Sequence, residues 1–228
     1  MSKLRLFACG VAMSALYSAP VSAQQVEDGL RLRPMLGLGY SWGGDTITPV
    51  TIIPQGTTIQ YQETIKAGTG IDLRAGVELA FPRSPFAVQL ALAYQNDGAA
   101  GLESKHMDFR RLPVELTGFW RVTPRFRVGL GIRKAAYAAF KASAAVCDEA
   151  REELDEPDLS CTTRYNSNVG LLAEAEYELT PQWAVRARYV RESYTPKRSN
   201  GNFAPDEDVN DYKVRGDHFG IMSVWYLR

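Results

Sequence analysis

Along most of this chain, apolar and polar residues take turns. In the segment IDLRAGVELAF, Ile71, Leu73, Ala75, Val77, Leu79 and Phe81 share one face, and Asp72, Arg74, Gly76 and Glu78 share the other. A side-chain period of two belongs to a strand and not to a helix. FAVQLALAY repeats the pattern, with Phe86, Val88, Leu90, Leu92 and Tyr94 set against Ala87, Gln89, Ala91 and Ala93. The same alternation predicts strands over 30–40, 109–121, 126 to about 140, 169–179, 183 to about 194, and about 212–227. The facing of the last, FGIMSVWYL, is ambiguous. These make eight strands.

The connections alternate in length. Short turns fall at Pro82–Pro85, Thr123–Arg125 and Thr180–Gln182, and long polar connections at about 43–65, 96–106, 143–165 and 197–211. An even number of antiparallel strands, with short turns at one end and long loops at the other, is the layout of a closed barrel that crosses a bacterial outer membrane. Closure pairs every backbone N–H and C=O between strands, which lipid demands. The expectation is therefore an all-β fold: one closed, eight-stranded antiparallel transmembrane barrel with short periplasmic turns and longer extracellular loops.

Composition adds a leader. MSKLRLFACGVAMSALYSAPVSA begins with Lys3 and Arg5, runs through a short apolar stretch from Leu6 to Leu16, and ends in Val21-Ser22-Ala23. That is the pattern of a secretory signal peptide cleaved after Ala23, leaving residues 24–228 as the barrel domain. Cys9 follows only eight residues, too few for a full lipoprotein h-region. The 26 basic residues less Lys3 and Arg5 leave 24 against 26 acids, so a basic nucleic-acid footprint is not expected. Cys147 and Cys161 remain, and export favours a disulfide between them. The closed loop of about 15 residues stabilises by roughly 3 kcal/mol in the chain-entropy model.

If the apolar face meets lipid, the polar face fills the interior. An eight-stranded barrel is just wide enough for side chains to fill. The candidate lumen set comprises Arg31, Arg33, Asp72, Arg74, Glu78, Arg111, Glu115, Arg127, Arg133, Glu174, Glu176, Glu178, Arg186 and Arg188. All its bases are arginines, which suit two-pronged pairing with carboxylates. Glu174, Glu176 and Glu178 adjoin Arg186 and Arg188 across the Thr180–Gln182 turn, so cross-strand ion pairs and a salt-bridged plug are expected. The other reading of the same charges is an ion or proton relay.

A soluble barrel with an apolar interior shows the same period. The aromatics separate the two. Phe81, Phe86, Trp120, Phe126, Tyr177, Trp183 and Trp225 lie at the short-turn ends. Tyr40, Trp42, Tyr94, Phe109, Tyr137, Phe140, Tyr165, Tyr189 and Tyr194 lie toward the long loops. Two belts of rings are expected where strands cross two lipid interfaces.

The hairpin AEAEYELTPQWAVRARYVRESY, with its Tyr-x-Leu-Thr-Pro-x-Trp core, resembles those of the outer-membrane protein beta-barrel family. That family includes small porin-like and opacity-type proteins and the transmembrane domain of outer-membrane protein A. The resemblance covers the mature chain as a pattern and implies a fold and a place in the Gram-negative outer membrane. It also implies partners: outer-membrane lipid and lipopolysaccharide, and the barrel-assembly machinery, which reads a terminal aromatic. This chain ends Trp225-Tyr226-Leu227-Arg228 and departs from that signal. The resemblance implies no single activity.

Chemistry is sparse. The lipid A deacylases of similar architecture carry His-x-Ser on one strand face. His106-Met107-Asp108 and His218-Phe219-Gly220 do not match, and both histidines are expected at the surface or girdle. The acid-rich stretches 147–161 and 205–211 lack calcium-loop spacing and a central glycine and read as solvated loops. The stretch 48–65 is β-rich enough to extend strands above the membrane or contact a partner. No cofactor, metal cluster or nucleophile motif is expected. The chain reads as a non-enzymatic envelope or surface-interaction protein whose outer loops offer a surface ligand site. The alternatives are a narrow passive conduit and a lipid A-modifying enzyme.

Overall fold

A computed structural model describes residues 30–52, 61–100, 106–144, 147–148, 151–152, 155, 157, 161–197 and 213–227. The expected leader lies outside these residues, as do 205–211 and much of 147–161. In chain order the strands are β1 (Arg31–Gly43), β2 (Thr46–Ile52), β3 (Tyr61–Lys66), β4 (Gly70–Ala80), β5 (Phe86–Ala100), β6 (His106–Arg121) and β7 (Phe126–Ala142). There follow β8 (Thr162–Ser167), β9 (Gly170–Thr180), β10 (Trp183–Arg191), β11 (Ser193–Pro196), β12 (Val214–Arg215) and β13 (His218–Tyr226).

The wall is a closed antiparallel barrel. β1 pairs with β4, then β5, β6 and β7 follow in sequence order, β7 pairs with β9, β9 with β10, β10 with β13, and β13 returns to β1. Met35 faces Tyr226 at one end of the closing seam and Gly43 faces His218 at the other. β8, β11 and β12 continue β9, β10 and β13 above short breaks, so thirteen strands make eight staves and one extra hairpin. That hairpin is β2–β3, standing above the barrel within the first long connection.

The short turns are built by side chains that replace missing ladder bonds. Thr123 Oγ1 accepts from Phe126 N at 3.0 Å, and Thr180 Oγ1 accepts from Trp183 N at 3.0 Å. Threonine thus closes each bend while the following proline presets its φ. Phe86 and Trp120, facing across β5 and β6, meet edge to face at 4.3 Å.

Through most of the wall the lipid-type residues point outward. Leu36, Leu38, Leu73, Leu90, Leu92, Leu116, Ile132, Leu171 and Ile221 are all exposed, and Leu130 reaches 74%. Toward the long loops this arrangement inverts. Outward positions there are Lys66, Arg110, Lys141, Arg164, Lys197 and Arg215. Inward positions are Ile65, Ala67, Phe109, Ala135, Ala138, Phe140, Tyr194 and Val214, which pack as one apolar cluster. Phe109 meets Tyr165 and Tyr194 edge to face, each at 5.4 Å. The barrel therefore leaves the membrane as a collar with an apolar core and a charged exterior. The staves have two amphipathic senses, one for each solvent.

This corrects the upper aromatic belt. Tyr40, Trp42, Tyr94, Tyr137 and Tyr189 face outward, whereas Phe109, Phe140 and Tyr194 are buried in the collar and Tyr165 packs against it. Phe140 is turned inward by a bulge. Leu112 faces Tyr137 and Pro113 faces Ala135, leaving Ala136 extra. One added residue swaps the faces of everything beyond it.

Candidate functional site: a charged column inside the barrel

β4, β6, β7, β9 and β10 send their polar positions into the lumen, where six acids and six arginines are buried among the described residues. They are Asp72, Glu78, Glu115, Glu174, Glu176 and Glu192 with Arg74, Arg111, Arg127, Arg133, Arg186 and Arg188. The formal charge of the column is zero.

The column has three tiers. In the periplasmic tier, Arg127 Nη1 lies 2.6 Å from Glu78 Oε2 and its Nε donates to Glu176 Oε1 at 2.9 Å. Arg186 Nε donates to Glu176 Oε2 at 2.7 Å, and the Tyr226 hydroxyl lies 3.0 Å from both Glu176 oxygens. The Phe119 ring fills the space between the arginines, 4.4 Å from Arg127 Cζ and 4.9 Å from Arg186 Cζ. Gly129 makes room for that ring, since a Cβ there would sit 2.7 Å from Phe119 Cε1.

In the middle tier, Glu115 is shared. It lies 2.5 Å from Arg74, 3.1 Å from Arg133 and 2.9 Å from Arg188. Asp72 receives Arg74 at 3.1 Å and Arg188 at 3.3 Å, with Gln95 Nε2 donating at 2.8 Å. Every carboxylate here faces more than one guanidinium, the condition under which buried charges are tolerated.

The upper tier closes the lumen beneath the collar. Arg133 Nε lies 3.0 Å from Glu192 Oε2, and the Tyr194 hydroxyl donates to Glu192 Oε1 at 2.6 Å. Burial, reinforced by the Glu192 carboxylate, pushes the Tyr194 phenol above its ordinary range, so it stays a donor. Arg111 donates to the carbonyls of Ala67 and, at 2.9 Å, Thr69. It thus ties the root of the first outer hairpin into the barrel.

Eleven of the fourteen lumen candidates stand in this column. The other three stand at the periplasmic rim. Arg31 is exposed, Arg33 is half-buried and pairs with Glu78 at 3.3 Å, and Glu178 pairs with Arg121 at 2.8 Å. These positions adjoin the short turns, where the wall ends and water enters. Glu192, Tyr194, Gln95, Phe119 and Tyr226 stand in the lumen outside the candidate set, as does Gln89, which the alternation places on the polar face. Gln89, Gln95, Phe119, Glu192 and Tyr194 fall on the inward parity of their strands, and that signal is sufficient to find them; Tyr226 stands in the last strand, whose facing the sequence leaves ambiguous. The seven short-turn aromatics Phe81, Phe86, Trp120, Phe126, Tyr177, Trp183 and Trp225 face outward.

The histidine expectation is corrected at one position. His218 is 1% exposed, its Nδ1 2.7 Å from Gly216 O and 4.0 Å from Glu192 Oε1. Gly216 and Asp217 break the last stave just before it and set it inside. The side chain of His106 lies outside the described ones. Cys147 and Cys161 form a disulfide with Cα atoms 5.5 Å apart. No helix among the described residues is long and apolar enough to cross a membrane. The crossing is made by strands.

The family model for the outer membrane protein beta-barrel domain matches residues 9–225. The chain belongs to this outer-membrane barrel family. No curated protein matches it. Among solved barrels it is similar to Ail, the attachment invasion locus protein of Yersinia pestis, in complex with the heparin analogue sucrose octasulfate. That match has 12% identity and TM-score 0.47, covering 88% of this chain and 99% of Ail. It is similar to Neisserial surface protein A at 10% identity and TM-score 0.44, covering 86% and 98% of the two chains. It is also similar to a major outer membrane protein of Thermus thermophilus at 14% identity and TM-score 0.41, covering 86% and 99%.

Proposed function

We propose that this outer-membrane barrel is non-enzymatic and sealed, serving the envelope as a structural or surface-interaction protein that offers its outer loops to a ligand. The observation that carries the reading is the neutral column. Its guanidinium and carboxylate groups are committed to one another from Glu78 to Glu192, and Arg111 holds the first outer hairpin over the top. A conduit needs groups free to exchange partners with a passing solute, and these are held by several partners each.

Planar-bilayer recording of the refolded protein tests the reading. No steady channels are expected. Steady channels abolished by Glu176→Gln or Arg186→Met would establish a conducting lumen instead. Unchanged lipid A profiles after substitution of His106 and His218 together are expected of a non-enzyme. The reading also includes export on residues 1–23, assembly by the barrel-assembly machinery, and contact with outer-membrane lipid and lipopolysaccharide. Amino-terminal sequencing of the mature protein is expected to begin at Gln24.

A further inference from the structure

The charges of the lumen cancel, but those of its periplasmic mouth do not. Below the column, the described residues at this end carry five arginines, Arg31, Arg33, Arg83, Arg121 and Arg125, and one acid, Glu178. Two of the five build the frame. Arg33 stacks on the Tyr226 ring, its Cζ 4.2 Å from the centroid, pairs with Glu78 at 3.3 Å and donates to Pro181 O at 3.0 Å. Arg121 holds Glu178 with two prongs, at 2.8 Å and 3.1 Å, and donates to Pro124 O at 2.8 Å. Backbone bonds stitch the turns to the neighbouring staves, Arg121 N donating to Pro85 O and Glu178 N to Arg125 O, each at 2.8 Å. The other three arginines, Arg31, Arg83 and Arg125, are exposed.

The exposed three form an arc along the rim. Arg31 opens β1 opposite Ala80, Arg83 sits in the adjoining turn between β4 and β5, and Arg125 in the turn between β6 and β7. Arg83 stands at a φ of 59°, in the left-handed region that glycine and asparagine take more readily. The turn keeps a long cation where a smaller residue would sit with less strain.

The parity of the strands tells which way the arc faces. Arg31 lies between Leu30 and Leu32, and Arg121 between Trp120 and Val122, and all four of those apolar side chains are exposed on the lipid face. Arg31, Arg33 and Arg121 take the opposite face, which at the end of a barrel is the mouth. The arginines therefore look into the periplasm and not into the inner leaflet. Spaced guanidinium groups suit spaced carboxylates, each able to accept two N–H donors. An arc from β1 to β7 suits an extended polymer better than a small molecule in a pocket.

We infer that the periplasmic mouth docks peptidoglycan, through the free carboxylates of its stem peptides. The inference deepens the reading of the protein as a structural element of the envelope. A conducting lumen would leave it standing, and failure to bind peptidoglycan would leave the sealed lumen standing.

Cosedimentation of the refolded protein, in detergent micelles, with purified peptidoglycan sacculi tests it. Retention is expected, and is expected to fall as salt rises. Arg31→Gln, Arg83→Gln and Arg125→Gln together remove three exposed charge pairs, each a factor of about two to three, and weaken retention roughly tenfold. Arg110→Gln, Lys141→Gln and Arg164→Gln together remove as much charge from the opposite end and are expected to leave retention unchanged. Heat-modifiable gel mobility checks that both variants fold, and sacculi with amidated carboxylates test the parent protein itself. Full retention of the folded rim variant, an equal loss in the collar variant, or undiminished binding to amidated sacculi overturns the proposal. So does a lack of sacculus binding joined to a preference for phosphatidylglycerol over phosphatidylcholine nanodiscs that the rim variant loses, which would assign these arginines to the inner leaflet.

Discussion

Removing one charge from the column is the sharpest test of whether it is dry and coupled. Glu176 accepts from Arg127, Arg186 and Tyr226, all buried. Glu176→Gln keeps the volume and one acceptor oxygen but leaves the column with one excess positive charge. Removing one partner of a buried pair costs about 3–5 kcal/mol. Here Arg127 keeps Glu78 at 2.6 Å and Arg186 keeps Glu174 at 3.2 Å, so the low end, about 3 kcal/mol, is expected. Arg186→Met has a similar cost from the opposite sign, because Glu176 keeps Arg127 and Tyr226. The double variant restores neutrality with five acids and five arginines. Its cost is expected to fall short of the sum of the singles by about 2 kcal/mol, within the range of coupling for neighbours in one network. Urea unfolding of the barrel in micelles, followed by tryptophan fluorescence, measures all three. Singles within about 0.5 kcal/mol of the parent, with additive effects, would refute the argument. Such values describe groups in water, and the lumen would have to be a wet channel.

Three further outcomes follow from the wall and the loops. Gly129→Val drives a side chain into Phe119 and is expected to cost about 1–3 kcal/mol by overpacking, with Phe119→Leu relieving it in the same unfolding assay. Leu130→Arg, at the most exposed apolar position of the wall, is expected to cost about 2–4 kcal/mol in lipid if it lies near the midplane. A cost near zero would show that this face meets water. Replacing Cys147 and Cys161 with serine is expected to remove roughly 3 kcal/mol of loop restraint. Limited proteolysis would then cut faster within 147–161 while the heat-modifiable mobility of the barrel persists.

The staves were legible because one pattern served them all. Alternation located every wall strand, and Thr-Pro marked two of the three short turns. Less legible was the change of sense above the membrane. Phe109 shares its parity with Arg111, and Tyr194 shares its parity with Arg186 and Arg188, so the period itself places both rings inside. Their aromatic type suggested the outer belt, a rule that holds only while the exterior is lipid. Phe140 was hidden more deeply, because the extra residue at Ala136 resets the parity and a bulge leaves little trace in a run of alanines. The breaks in β10–β11 and β12–β13 were also invisible. They depend on a distant contact in which the Asp217 carboxylate accepts from Glu192 N at 3.0 Å in place of a ladder bond. The three rim residues Arg31, Arg33 and Glu178 carry the column's parity but stand where the wall ends, and parity carries no height.

Height is what the inverted collar sets. A wall with apolar outside and charge inside could slide along the membrane normal at little cost. This one has a waterline. Pushed inward by one residue pair, the exteriors carrying Arg110, Lys141 and Arg164 would begin to enter hydrocarbon, where each cation costs about 0–1 kcal/mol at the interface and more with depth. Drawn outward by the same step, the Tyr137 and Trp42 rings would leave the interface and the leucine rows below would meet water. The barrel therefore floats at one draught, and whatever its outer loops touch is presented at a fixed distance above the lipid.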